Sequence, residues 1–155
     1  MDDSKKIIKV IIILVVILII YVGGCLGYKE WKFSPYEKSA EEFQTKYQNE
    51  AFREENPNTT VHASRSDNLF TPSGLLTVNK DKVSLQIHPT IFGGFDTDVI
   101  ISDRFGGNTV AQFTIDENGE PIETEAHVKY EEYKEEIIAA LKLANEVFGK
   151  IYQIQ

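Results

Sequence analysis

Side chains able to do chemistry are few in this chain and widely spread. Of the three histidines, His62, His88 and His127, none stands four residues from another, so a helical zinc motif is missing. Asp96-Thr97-Asp98 and Asp103 put carboxylates near His88, but without the glycine and closing glutamate of a calcium loop. They read more simply as turn residues at the ends of a strand. There is no Gly-x-Ser-x-Gly elbow and no phosphate loop. General acid–base work would need paired groups whose surroundings pull their pKa values apart, and spacing alone does not supply that. We therefore expect no enzymatic activity, no cofactor and no metal. An enzyme or metal-binding protein using His88 and the nearby aspartates is the alternative. Cys25 is the only thiol, which excludes an intramolecular disulfide and a Cys-x-x-Cys redox pair.

Two Phe-Gly-Gly triplets are more unusual: Phe92-Gly93-Gly94, followed by Phe95, and Phe105-Gly106-Gly107. They flank one expected strand and so belong at opposite ends of a sheet. Turn geometry with the phenylalanines folded inward is the plain reading. The functional one is a set of exposed loop tips that dock a partner.

The elements that must position these residues begin with an apolar run. After Lys5, Lys6 and Lys9, residues 10–28 carry no charge. As a helix they reach about 28 Å, close to the hydrocarbon thickness of about 30 Å. In lipid a lone strand would leave its backbone unpaired, so a helix is expected despite the β-branched composition. The reading is a cytoplasmic tail at 1–9, a transmembrane helix at 10–28, a juxtamembrane stretch at 29–33, and a single extracytoplasmic α+β domain at 34–155. Lys29, Lys32 and Lys38 nearly balance the three leading lysines, so the orientation is a lean toward the N-terminus inside. Tyr28, Trp31 and Phe33 form an interfacial aromatic belt. Gly23 and Gly27 make a Gly-x-x-x-Gly pair through which two helices could approach, leaving a homo-oligomer of the membrane open. Val22-Gly23-Gly24-Cys25 resembles the lipobox of bacterial lipoproteins. That resemblance implies lipidation of Cys25 and removal of the preceding peptide, although Tyr21 and Val22 depart from the pattern.

Beyond the anchor, Ser34-Pro35-Tyr36-Glu37 is a capping box that predicts a helix start. Tyr36, Ala40, Phe43, Tyr47 and Ala51 give it one apolar stripe, and Asn56-Pro57 ends it. A short strand is expected at 60–63. Strands at 75–78 and 83–87 form a hairpin over a four-residue loop, and strands at 97–102 and 109–115 form another. Asn118-Gly119 turns the chain toward a short strand around Ile122. A closing helix over 128–150 puts Tyr130, Tyr133, Ile137, Leu141, Ala144 and Phe148 on one face. The fold class is α+β: anchor, helix, antiparallel sheet of four or five strands, amphipathic helix.

From Lys29 onward there are 13 Lys and Arg against 22 Asp and Glu, a net of −9. That balance excludes nucleic-acid binding, which needs a basic surface to neutralise phosphates. Leu69-Phe70-Thr71-Pro72-Ser73-Gly74-Leu75, Val83-Ser84, His88-Pro89, Gly93-Gly94-Phe95 and Gln112-Phe113-Thr114-Ile115-Asp116 together resemble a group of small membrane-anchored proteins of Gram-positive bacteria whose function is not established. The resemblance implies the architecture and no activity. The leading expectation is a non-enzymatic, membrane-tethered domain that binds a protein partner. One form of it is an immunity protein that meets a secreted toxin.

Overall fold

The computed structural model describes residues 2–154, with side chains from Ser4 onward. One helix, α1 (Asp2–Tyr47), carries the apolar run and the stripe of the expected second helix as far as Tyr47; the chain then breaks, and Ala51 falls exposed on a separate short helix. α1 is long and apolar enough to cross a membrane. Its apolar N-terminal half is called the stem below.

The helix start expected at Ser34 does not occur. Because the residues before it are already helical, there are no orphan N–H groups for Ser34 and Glu37 to cap, and Glu37 accepts instead from Arg65 Nε at 2.9 Å. Pro35 inside a helix costs about 3 kcal/mol, mainly through a lost hydrogen bond to the carbonyl four residues back. That carbonyl belongs to Trp31, and both residues lie on the exposed side, so water can satisfy it. Phe33 is not part of the expected interfacial belt: with Ala40 and Phe43 on the opposite side it is buried in the core, and the three hold the helix through the proline.

After α2 (Glu50–Glu55), five strands follow: β1 (Thr59–Arg65), β2 (Gly74–Lys80), β3 (Val83–Pro89), β4 (Phe95–Ser102) and β5 (Thr109–Ile115). They pair antiparallel in sequence order as a meander. The hairpin loop between β2 and β3 is two residues, Asp81-Lys82, shorter than the four expected, because pairing continues to Lys80 and Val83. The strand expected around Ile122 reduces to one bridge between Ile115 and Pro121.

Alternation along the strands sorts the side chains. Val61, Val78, Leu85, Val99 and Phe113 form one continuous buried row across the sheet. α1 and the last helix cover that face, giving one core. The expected closing helix is split at Tyr133 into α3 (His127–Glu132) and α4 (Lys134–Phe148). The break lets Tyr130 pack edge-on against Phe113, centroids 6.5 Å apart, while Ile137, Leu141, Ala144 and Phe148 stay buried on α4.

Asn145 then fixes the tail. Its Oδ1 accepts from the N–H groups of Ile151 and Tyr152 at 2.8 Å each, and its Nδ2 donates to the Tyr152 carbonyl. Tyr152 reaches Thr97 Oγ1 at 2.7 Å beneath the sheet, and burial pushes its phenol well above the ordinary tyrosine range.

Candidate functional site

The strands run between two ends of the domain, one beside the stem and one away from it. At the stem end, two loops close on α1. The loop after β1 (residues 66–73) is built from short polar side chains: Asn68 Oδ1 accepts from Phe70 N at 2.9 Å, and Ser66 N donates to the Ser73 carbonyl. Lys29, only 4% exposed, donates from Nζ to the carbonyls of Ser66 and Asn68 at 2.8 Å each. The Phe70 carbonyl accepts from Tyr21 Oη at 2.8 Å, and the buried Cys25 thiol lies 3.9 Å from it. Leu69 and Phe70 are left exposed.

The loop after β3 (residues 90–94) is closed by Thr90, whose Oγ1 donates to the Gly93 carbonyl at 2.6 Å. Gly93 and Gly94 both have φ near +90°, a region where a Cβ is strained, and this tight reversal throws Ile91 and Phe92 outward. Tyr28 Oη donates to the Ile91 carbonyl at 3.4 Å. Phe92 is fully exposed. Phe95 instead packs on Tyr36, centroids 6.4 Å apart, and burial followed by the nearby Tyr28 pushes the Tyr36 phenol up.

The second Phe-Gly-Gly triplet lies at the far end, between β4 and β5. Asp103 Oδ1 accepts from Asn108 N at 2.9 Å, Gly107 N donates to the Arg104 carbonyl, and Phe105 is 41% exposed. The fully exposed Phe92 overturns the expectation that both phenylalanines fold inward. The two triplets also cannot share one small contact, since β4 separates them.

Among the described residues, no element packs on the sheet face opposite the helices. Its central row is His62, Thr77, Gln86, Asp98 and Thr114, joined strand to strand by the register. Among the outward positions of the five strands, Asp96 and Asp98 are the only formally charged side chains, in a chain that is 26% charged.

Both edges of this sheet are protected. At β1, Gln44 Nε2 donates to the Val61 carbonyl at 3.0 Å and lies 3.1 Å from His62 Nδ1. At β5, Ile122 N donates to the Thr114 carbonyl, Glu123 accepts from Thr114 N, and the register shifts beside Val110. A covered edge and a bulge blunt strand addition and leave the face as the accessible surface.

The histidines and aspartates do not assemble. His88 stands opposite Asp96 in the register, both exposed, while Asp98 accepts from Thr114 Oγ1 at 3.0 Å. Asp103 is at the far end, His62 is on β1, and His127 begins α3. Among the described residues no group of three or more His, Cys, Asp or Glu could hold a metal ion. Gly23 and Gly27 lie on the exposed side of the stem, and Cys25 faces the domain. Sequence reasoning raised Phe92 as part of an exposed loop tip but missed the burial of Lys29 and the outward Leu69, Phe70 and Ile91. Two adjacent large apolar residues inside polar, turn-rich loops were the available signal. No protein-family model, no curated protein and no solved structure matches the chain.

Proposed function

We propose that this chain is a membrane-tethered, non-enzymatic module that binds a protein partner through the open face of its sheet, with the domain on the extracytoplasmic side. The observation that carries the reading is that face: five strands, uncovered, set with short hydroxyl and amide side chains and depleted of charge. Depletion of charge marks the centre of protein interfaces, while the acidic remainder of the surface keeps the domain soluble.

α1 supports the tether. A helix that passes unbroken from an apolar run into the core would hold the face at a set height above a bilayer. The contacts of Tyr21 and Cys25 with the domain favour a retained helix over removal of the segment before Cys25. A protein that meets a secreted toxin at the membrane is one form of this role.

The test is a photo-crosslinking residue placed at Gln86, at the centre of the face, and in parallel at the exposed Lys142 of α4, in cells. A discrete adduct from Gln86 that Thr77→Arg abolishes and Lys142 never gives is the expected result. Adducts that are equal from both positions, or absent from Gln86, overturn the proposal. An adduct at twice the mass of the chain identifies the partner as a second copy.

A further inference from the structure

We infer that the two stem-end loops are a lipid-docking surface: Leu69 and Phe70 on one, and Ile91 and Phe92 on the other, enter the interfacial layer of the bilayer that the stem crosses. The inference rests on the tether proposed above and goes beyond it, because a tether alone does not put any part of the domain into the lipid.

The argument is one of level. An uncharged helix over residues 10–28 has about the length of the hydrocarbon layer, so Tyr28 marks the outer end of the span. The loops do not sit above that end. The Phe70 carbonyl is bonded by Tyr21 and faced by Cys25, and the Ile91 carbonyl is bonded by Tyr28, so both loops lie alongside the last turns of the apolar run. Two side chains on each loop are exposed and large at this level, with Phe92 bare on all sides. Trp31, also exposed, stands one turn further out, its ring 6.1 Å from that of Tyr28, where an indole suits the headgroup boundary.

Backbone geometry keeps the tips in place. Lys29 ties the first loop to α1 and the paired glycines fix the second, so four apolar side chains are ordered without cover from the chain itself. Water is an unfavourable neighbour for such a patch, and the surface continuous with it is lipid. A protein occupant would have to enter the headgroup layer beside the stem. Because the domain is acidic, the attachment runs on apolar insertion, so zwitterionic lipid suffices and salt leaves it intact.

The test uses the full chain in phosphatidylcholine nanodiscs. Trp31 is the single tryptophan, so in a Trp31→Phe background one tryptophan is placed at Val15, Phe92 or Phe105 and quenched with lipids brominated deep or near the headgroup. All three positions are exposed, so the core is not disturbed. The expected result is deep quenching of V15W, several-fold stronger shallow quenching and a blue-shifted emission for F92W relative to F105W, and no change when salt is raised. If V15W is quenched while F92W behaves like F105W, docking is overturned and the tether stands. If V15W is not quenched, the tether fails and the inference falls with it. A blue-shifted F92W that brominated lipid does not quench assigns the patch to a protein contact and also overturns it.

Discussion

The same three residues, Phe-Gly-Gly, occur at both ends of β4 and do different things. At the stem end Phe92 projects bare from a loop whose carbonyl is held by Tyr28, while Phe95, one turn of chain later, is drawn into an aromatic cluster with Tyr36. At the far end Phe105 is partly covered, and its loop is closed by hydrogen bonds among residues 103–108, with α1 taking no part in them. The tripeptide sets a turn; its neighbours decide where the phenylalanine goes. The stem end is therefore a built surface, held by long-range contacts, and the far end is a local turn.

The largest contrast is expected between Phe33 and Phe105. Phe33 is 1% exposed, and its ring lies so close to Gly74 at the start of β2 that a Cβ there would overlap it. Phe33→Ala opens a cavity where α1 meets the sheet and should cost about 3–5 kcal/mol. Phe105→Ala removes surface area from a local turn and should change stability by under about 0.5 kcal/mol. Chemical denaturation of the full chain in nanodiscs, followed by circular dichroism, measures both. Similar losses at the two sites would erase the distinction between the ends.

Lys29 gives a smaller and more selective effect. Its ammonium satisfies two loop carbonyls and has no carboxylate partner among the described residues, so Lys29→Met strands both acceptors at a cost of about 1–3 kcal/mol. The loss should be concentrated in amide exchange. Residues 66–73 should exchange faster while residues 103–108 keep their wild-type rates, because nothing in the far loop depends on α1. Uniform acceleration across the domain would mean that Lys29 supports the core and not this loop.

These contrasts also mark what the sequence makes legible. The order of elements, the hairpins and the buried alternation follow from local spacing, and residues 109–115 are bounded as expected because the Phe113 and Ile115 periodicity is clean. What escaped is non-local. Lys29 reads as an interfacial cation until a loop some forty residues later supplies carbonyls for it, and Ser34-Pro35-Tyr36-Glu37 reads as a helix start until Arg65 claims Glu37. Asn145 in a helix gives no sign that it holds Ile151 and Tyr152. Strand order was open in the sequence and proved to be a meander, in which each strand pairs with its neighbour in the chain.

The turn at Asp116 sharpens the comparison from a third position, because it lies at the same end of the sheet as the stem loops but on the opposite edge, away from α1. Its carboxylate accepts from Asn118 N at 2.9 Å, from Glu120 N at 3.0 Å and from the Asn118 side chain. Burial pushes the Asp116 carboxyl up, but these donors together outweigh it and hold it below the ordinary aspartate value. A folded value below the unfolded one means that the carboxylate stabilises the turn above about pH 4, the unfolded range, and that this support is lost as pH falls through the folded value. The amide resonances of Asn118 and Glu120 should therefore titrate with a midpoint below the ordinary aspartate range, and Asp116→Asn should flatten that titration. The carbonyl bonds of Lys29 contain no carboxylate and lie on the other edge of the sheet, so Asp116→Asn should leave the Ser66 and Asn68 amide resonances unmoved. If the two loops respond together, the stem end behaves as one unit across the sheet; if only the Asp116 turn responds, contact with α1 is what separates one loop from the other.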